Sequence, residues 1–140
     1  MTTITTELTV LVFLALLAAS LWVPYIVGVN LQKQAADAPD PFVRPGNLSD
    51  LPAWVHRAHR AHLNMLEQFL PFAVLVLLVD RLGAYSALTY WTALAFLGLR
   101  LAHAIGMISG LARMPVRPIL FSLGWICCLL MAYAVFTASI

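Results

Sequence analysis

The sequence predicts an all-α membrane protein, a bundle of four transmembrane helices in a single domain. Three observations lead there. Of 140 residues, 62% are hydrophobic and only 10% charged, where a soluble domain carries roughly a quarter charged residues. The mean hydropathy is correspondingly high, at +0.90. The apolar residues also gather into four runs, each close to the roughly 20 residues needed to cross a hydrocarbon core about 30 Å thick. With spans near 8–29, 54–79, 84–108 and 119–139, the connections use up the rest of residues 1–140 and leave no room for a soluble domain.

The first run, Leu8 to Val29, holds no charge and has no Lys or Arg ahead of it. A cleaved signal peptide carries a basic flank there, so this run is read as a mature span. A bend is expected at Pro24, because proline lacks an N–H and crowds the carbonyl four residues earlier. Between Asn30 and Ala53 the stretch "NLQKQAADAPDPFVRPGNLSDLPA" contains Pro39, Pro41, Pro45 and Pro52, which rules out a span or a long helix. The second helix is expected from Trp54 to Val79, with "DRLGAYS" as a tight turn after it. A third helix runs from Ala84 to Ile108, "SGLARMPVRP" forms a second short connection, and the fourth helix starts near Ile119. Four spans put both termini on one side of the membrane. The opposite side collects Lys33, Arg44, Arg113 and Arg117, with Arg57 at its margin, against Arg81 beside Asp80 on the terminal side. By the excess of positive charge, the long first loop and the 109–118 connection are expected to be cytoplasmic.

The second run begins "HRAHRAHLNMLEQF", an unusually polar entry to a span. Arg57, Arg60, Asn64, Glu67 and Pro71 follow one another at steps of 3, 4, 3 and 4 residues, which makes a single stripe on one helix face. Glu67 lies about 16 Å along the helix from His56, near the middle of the core. A charge there costs about 2.5–3.5 kcal/mol on insertion scales, so such groups face an interior or a cavity and find partners. The third helix runs the other way, which brings Arg100 to a similar depth and His103 one turn shallower. An ion pair of Glu67 with Arg100 or Arg60 is therefore expected. Arg117 opens the fourth helix at the same end. Arg57, Arg60, Arg100 and Arg117 together outnumber the one carboxylate, an excess that suits an anionic ligand bearing carboxylates. The same residues also fit a structural network between helices, with Arg57 and Arg117 reaching headgroups, and the spacing leaves both readings open.

Other patterns exclude function classes. His56, His59 and His62 step by three residues and spread over about 120° of helix, so they do not converge on a metal and no metal site is expected. Cys127 and Cys128 are adjacent, a poor geometry for a structural disulfide, and are read as packed or lipid-facing thiols. A net charge of +2 without a Lys/Arg run gives no basis for nucleic-acid binding.

Two stretches carry a resemblance. "GNLSDLPAWVHRAHRAHLNMLEQFLPF" contains an Arg-Ala-x-Arg-Ala-x-x-Asn-x-x-Glu run, here Arg57, Ala58, Arg60, Ala61, Asn64 and Glu67, followed by Pro71. "RLAHAIGMISGLARMPVRPILFSLG" contains Arg100, His103, Gly110 and Arg117. Both resemble the MAPEG family, the membrane-associated proteins of eicosanoid and glutathione metabolism, and look most like its bacterial members. The resemblance implies a homotrimer of four-helix subunits in a bacterial inner membrane, where the orientation read from charge makes the termini periplasmic, with glutathione as co-substrate between neighbouring subunits near the cytoplasmic side. It implies that Arg60, Asn64 and Glu67 hold the glutathione peptide and that Arg57, Arg100 and His103 lie in or near the same polar site. Arg117 would be the catalytic group beside the thiol, where a guanidinium favours the nucleophilic thiolate. A hydrophobic small-molecule or lipid substrate would reach it from the bilayer.

The implied activity is that of a glutathione transferase or peroxidase acting on hydrophobic electrophiles or lipid hydroperoxides. This chain departs from the family pattern at Met107, where many active members have Tyr, at Pro118, where one branch has Ser, and at Leu63, where some members have a basic residue. One branch binds lipid without transferring glutathione, so a non-enzymatic membrane scaffold or lipid-binding protein is the alternative. Phe42 and Arg44 of the long loop are candidates to cover the cavity mouth.

Overall fold

Each apolar run is helical in the computed structural model, which describes residues 4–32 and 48–138. The expectations placed on Lys33, Phe42 and Arg44 lie outside the described residues. Helix α1 (Thr6–Ser20) is capped by Thr5, whose hydroxyl accepts from the Leu8 amide. It gives way at Leu21 to α2 (Trp22–Asn30). Pro24 explains the break, because it has no N–H for the Ser20 carbonyl and its ring crowds that carbonyl. The bend therefore falls a turn before the proline itself.

A short 3-10 turn, Leu48–Asp50, precedes α3 (Ala53–Leu82). The Pro52 carbonyl starts α3 by accepting from the amides of Val55 and His56 at 2.9 and 3.4 Å. Pro71 lies inside α3 without ending it, although the Glu67 carbonyl loses its helical donor there. Gly83, at φ +64°, closes α3, and the Ala84 amide returns to the Val79 carbonyl at 2.9 Å. Ser86 then caps α4 (Ala87–Ser109) in a reciprocal pair with Thr89, each side chain accepting from the other's amide. Such a box satisfies two of the free donors at a helix start. Gly110, at φ +83°, closes α4, and α5 (Val116–Ala138) follows the second connection.

Helices α3 and α4 pack against each other. Both α1 and α5 pack against this pair, α2 runs along α3, and among the described residues the backbones of α1 and α5 stay apart. The buried face of α3 reads Ala58, Ala61, Met65, Gln68, Phe72, Val76 and Val79, at helical steps of three and four. It meets Ala93, Phe96 and Ala104 of α4, and Phe72 stacks on Phe96 with ring centroids 3.8 Å apart. From α5, Cys127 and Cys128 enter this core as free, buried thiols.

The end of the bundle away from the Arg-rich connection is tied by polar groups. Glu7, 4% exposed, accepts a hydrogen bond from the Thr89 hydroxyl at 2.7 Å and so joins α1 to α4. The Tyr85 hydroxyl donates to Asp80 and accepts from Thr5 at 3.2 Å, adding the end of α3. Outside, Leu70, Trp91, Ile105, Tyr133 and Phe136 stand exposed along the helix flanks. An apolar exterior of this extent needs a non-aqueous cover. Four helices are long and apolar enough to cross a membrane, Thr6–Asn30, Ala53–Leu82, Ala87–Ser109 and Val116–Ala138. The protein is an integral membrane protein.

Candidate functional site

The inward row of α3 is set by its apolar residues, and it passes through Met65 and Gln68. Successive residues of a helix are turned by about 100°, so the polar stripe one position away, from Arg60 to Pro71, looks sideways out of the bundle. Arg60, Glu67 and Pro71 are exposed there and Asn64 is half-buried. This changes the expected pairing. Arg100 belongs to the inward row of α4, between Phe96 and His103, and is only 1% exposed. Its Nη2 donates to the Leu120 carbonyl of α5 at 2.9 Å, and its guanidinium lies over Phe96, 5.5 Å from the ring centroid. The expected ion pair of Glu67 with Arg100 is thus not formed in the bundle, because the two side chains leave their helices in different directions. Among the described residues, Arg60 does not take its place.

Where the stripe meets the first turns of α5, a cleft of about 360 Å³ opens. It is lined by Asn64, Met114, Arg117, Pro118, Phe121 and Ser122. Asn64 donates through Nδ2 to the Arg60 carbonyl at 2.7 Å, which leaves its Oδ1 to accept from a ligand. Arg117 is half-buried, and its amide is held by the Arg113 carbonyl at 3.1 Å in the turn that starts α5. The cleft therefore combines one guanidinium, one amide and one hydroxyl with an apolar wall.

Asn64 and Arg117 are brought together in this lining, and Arg60 and Glu67 flank it on the same face of α3. Three further residues singled out in the sequence lie elsewhere. Arg57 donates through Nε to the Met107 carbonyl at 3.1 Å and covers the end of α4 at Gly110, a favourable place for a cation. Arg100 and His103, the latter 2% exposed, lie inside the bundle. His59 stacks on Tyr25 of α2 with centroids 4.4 Å apart. Sequence reasoning passed over Gln68, Phe121 and Ser122. Gln68 could have been noticed as a polar residue interrupting the apolar row of Met65 and Phe72, whereas nothing local marks the other two.

Four membrane-spanning helices, with a cleft of mixed polar and apolar lining between the second and fourth of them, define a small polytopic membrane protein. The sequence pattern of the MAPEG family matches residues 9–137, so the chain belongs to the MAPEG family, whose members work in eicosanoid and glutathione metabolism. No curated protein is a significant match to the chain.

Proposed function

We propose that the protein is a membrane glutathione transferase or peroxidase acting on hydrophobic electrophiles or lipid hydroperoxides. The observation that carries this reading is that Asn64 and Arg117 line a single cleft whose other walls are largely apolar. Glutathione has two carboxylates, one ammonium group and one thiol. Arg60 suits a carboxylate, Glu67 the ammonium, and the free Oδ1 of Asn64 a peptide N–H. Arg117 beside the sulfur stabilises the thiolate, which is the attacking species. The thiolate forms the new bond to the electrophilic carbon, and the leaving group departs with its electron pair. Met114, Pro118 and Phe121 give an apolar substrate a contact surface on the bilayer side.

The same reading includes a homotrimer. Arg60 and Glu67 point sideways from α3, and Glu67 does so near the middle of the membrane, where an uncovered charge is costly. A second copy of the chain covers them and completes the site. In this reading the membrane is a bacterial inner membrane, with the 109–118 connection cytoplasmic and the termini periplasmic. Binding of glutathione, measured by calorimetry with thiolate absorbance followed in parallel, tests it. Arg117→Ala should keep glutathione binding within a few-fold, lose the thiolate signal, and cut conjugation of a model electrophile by roughly 10²-fold, as for loss of one transition-state donor. Unchanged turnover overturns the role of Arg117.

A second reading, a non-enzymatic scaffold or lipid-binding protein, draws on the placement of Arg57, Arg100 and His103 in contacts within the protomer. It expects no glutathione binding at millimolar ligand.

A further inference from the structure

Two side chains from different helices grip consecutive carbonyls of α5. Gln68 of α3, 5% exposed, donates through Nε2 to the Phe121 carbonyl at 2.8 Å. Arg100 of α4 donates through Nη2 to the Leu120 carbonyl at 2.9 Å. Both side chains end in a notch over Gly124. A methyl group there would strike Gln68 Oε1 and would lie 2.7 Å from Arg100 Nη2, so a larger residue at this position would displace the ends of the pair. Arg117, Leu120, Phe121 and Gly124 are spaced by three, four and seven residues and share one face of α5. What holds Leu120 and Phe121 therefore also sets the direction of Arg117, one turn away, and Phe121 is itself part of the cleft wall.

The arrangement is a poor one for packing alone. Gln68 Oε1 and the Nε and Nη1 of Arg100 are buried without partners, and an unpaired buried polar atom is unfavourable. An apolar side chain of the same volume would fill the space without that penalty.

We infer that Gln68, together with Arg100, is a positioning residue: the two hold α5 by its Leu120 and Phe121 carbonyls and set the rotation that turns Arg117 and Ser122 into the cleft opposite Asn64. The inference rests on reading that cleft as the thiol site. Gln68→Met tests it, because methionine keeps the volume, removes the hydrogen bond and removes an orphaned acceptor, so the fold should stand. Gly124→Ala perturbs the same grip from the α5 side.

One readout is independent of glutathione. With Cys127 and Cys128 replaced by Ala, Ser122→Cys reports on the cleft through its rate of modification by a charged, water-borne methanethiosulfonate. Gln68→Met and Gly124→Ala should each slow that modification several-fold, and rates equal to the parent's in both overturn the inference. The second readout is the pH midpoint of glutathione thiolate absorbance. It should rise in Gln68→Met while glutathione affinity stays within a few-fold, and an unmoved midpoint overturns the link to Arg117. A parent protein that forms no thiolate defeats the transferase reading instead, and the labelling rates still decide whether Gln68 orients α5.

Discussion

Tyr85 sits in the turn between α3 and α4 and joins three segments through one hydroxyl. Partial burial, followed by the hydrogen bond to Asp80, holds its phenol above the usual value. The neutral form is thus favoured by folding. Its contribution is present below the unfolded value of about 10 and is lost as pH rises through the higher folded value. Phenolate absorbance compared with Tyr85→Phe should show this tyrosine titrating above about pH 10, and a midpoint at or below that value counts against the tie. Nearby, Glu7 was outside the uncharged run read from the sequence, yet its buried bond to Thr89 joins residues 82 positions apart. Nothing in the local pattern at either position announces such a contact.

The elements themselves were largely legible, because their boundaries are made by local chemistry. Pro24, Gly83, Ser86 and Gly110 stand where the helices break, close, start and close again. The differences have physical causes. Ala84 and Tyr85 look apolar enough for a span but complete the closure of α3, so α4 begins at Ala87. The last helix starts at Val116, ahead of Pro118, because a proline is tolerated in the first turn, where its missing N–H is not needed. At Gly110 a side chain meets two obstacles, the left-handed backbone and the Arg57 guanidinium, whose Nη2 would lie 3.2 Å from a methyl group. Gly110→Ala should lower stability by about 1–2 kcal/mol, read as an earlier thermal unfolding midpoint by circular dichroism in detergent. An unchanged midpoint would mean that the α4 end relaxes freely.

At the scale of the whole molecule, the notable feature is a bundle that leaves Glu67 and Arg60 on its outer flank. Arg57 is tied to the end of α4, and Glu67 lies about 15 Å further along α3, well inside the span Ala53–Leu82. If a second copy covers that flank, Glu67→Gln should weaken the assembly by about 1–3 kcal/mol, the cost of a lost charged hydrogen bond. Mass measurement in detergent across a temperature series reads this as earlier dissociation, and an assembly as persistent as the parent's argues that Glu67 faces a ligand alone. The sequence by itself determined the membrane class, the four helices, the polar stripe and the family, because composition, proline and glycine positions and residue spacing are properties of the chain. Only the tertiary structure decided that the stripe faces outward, that Arg100 bonds to α5 rather than to Glu67, and that Asn64 meets Arg117 across a cleft. Periodicity fixes which residues share a face, but the rotation of that face is set by how Met65, Gln68, Phe72 and Phe96 pack against neighbouring helices.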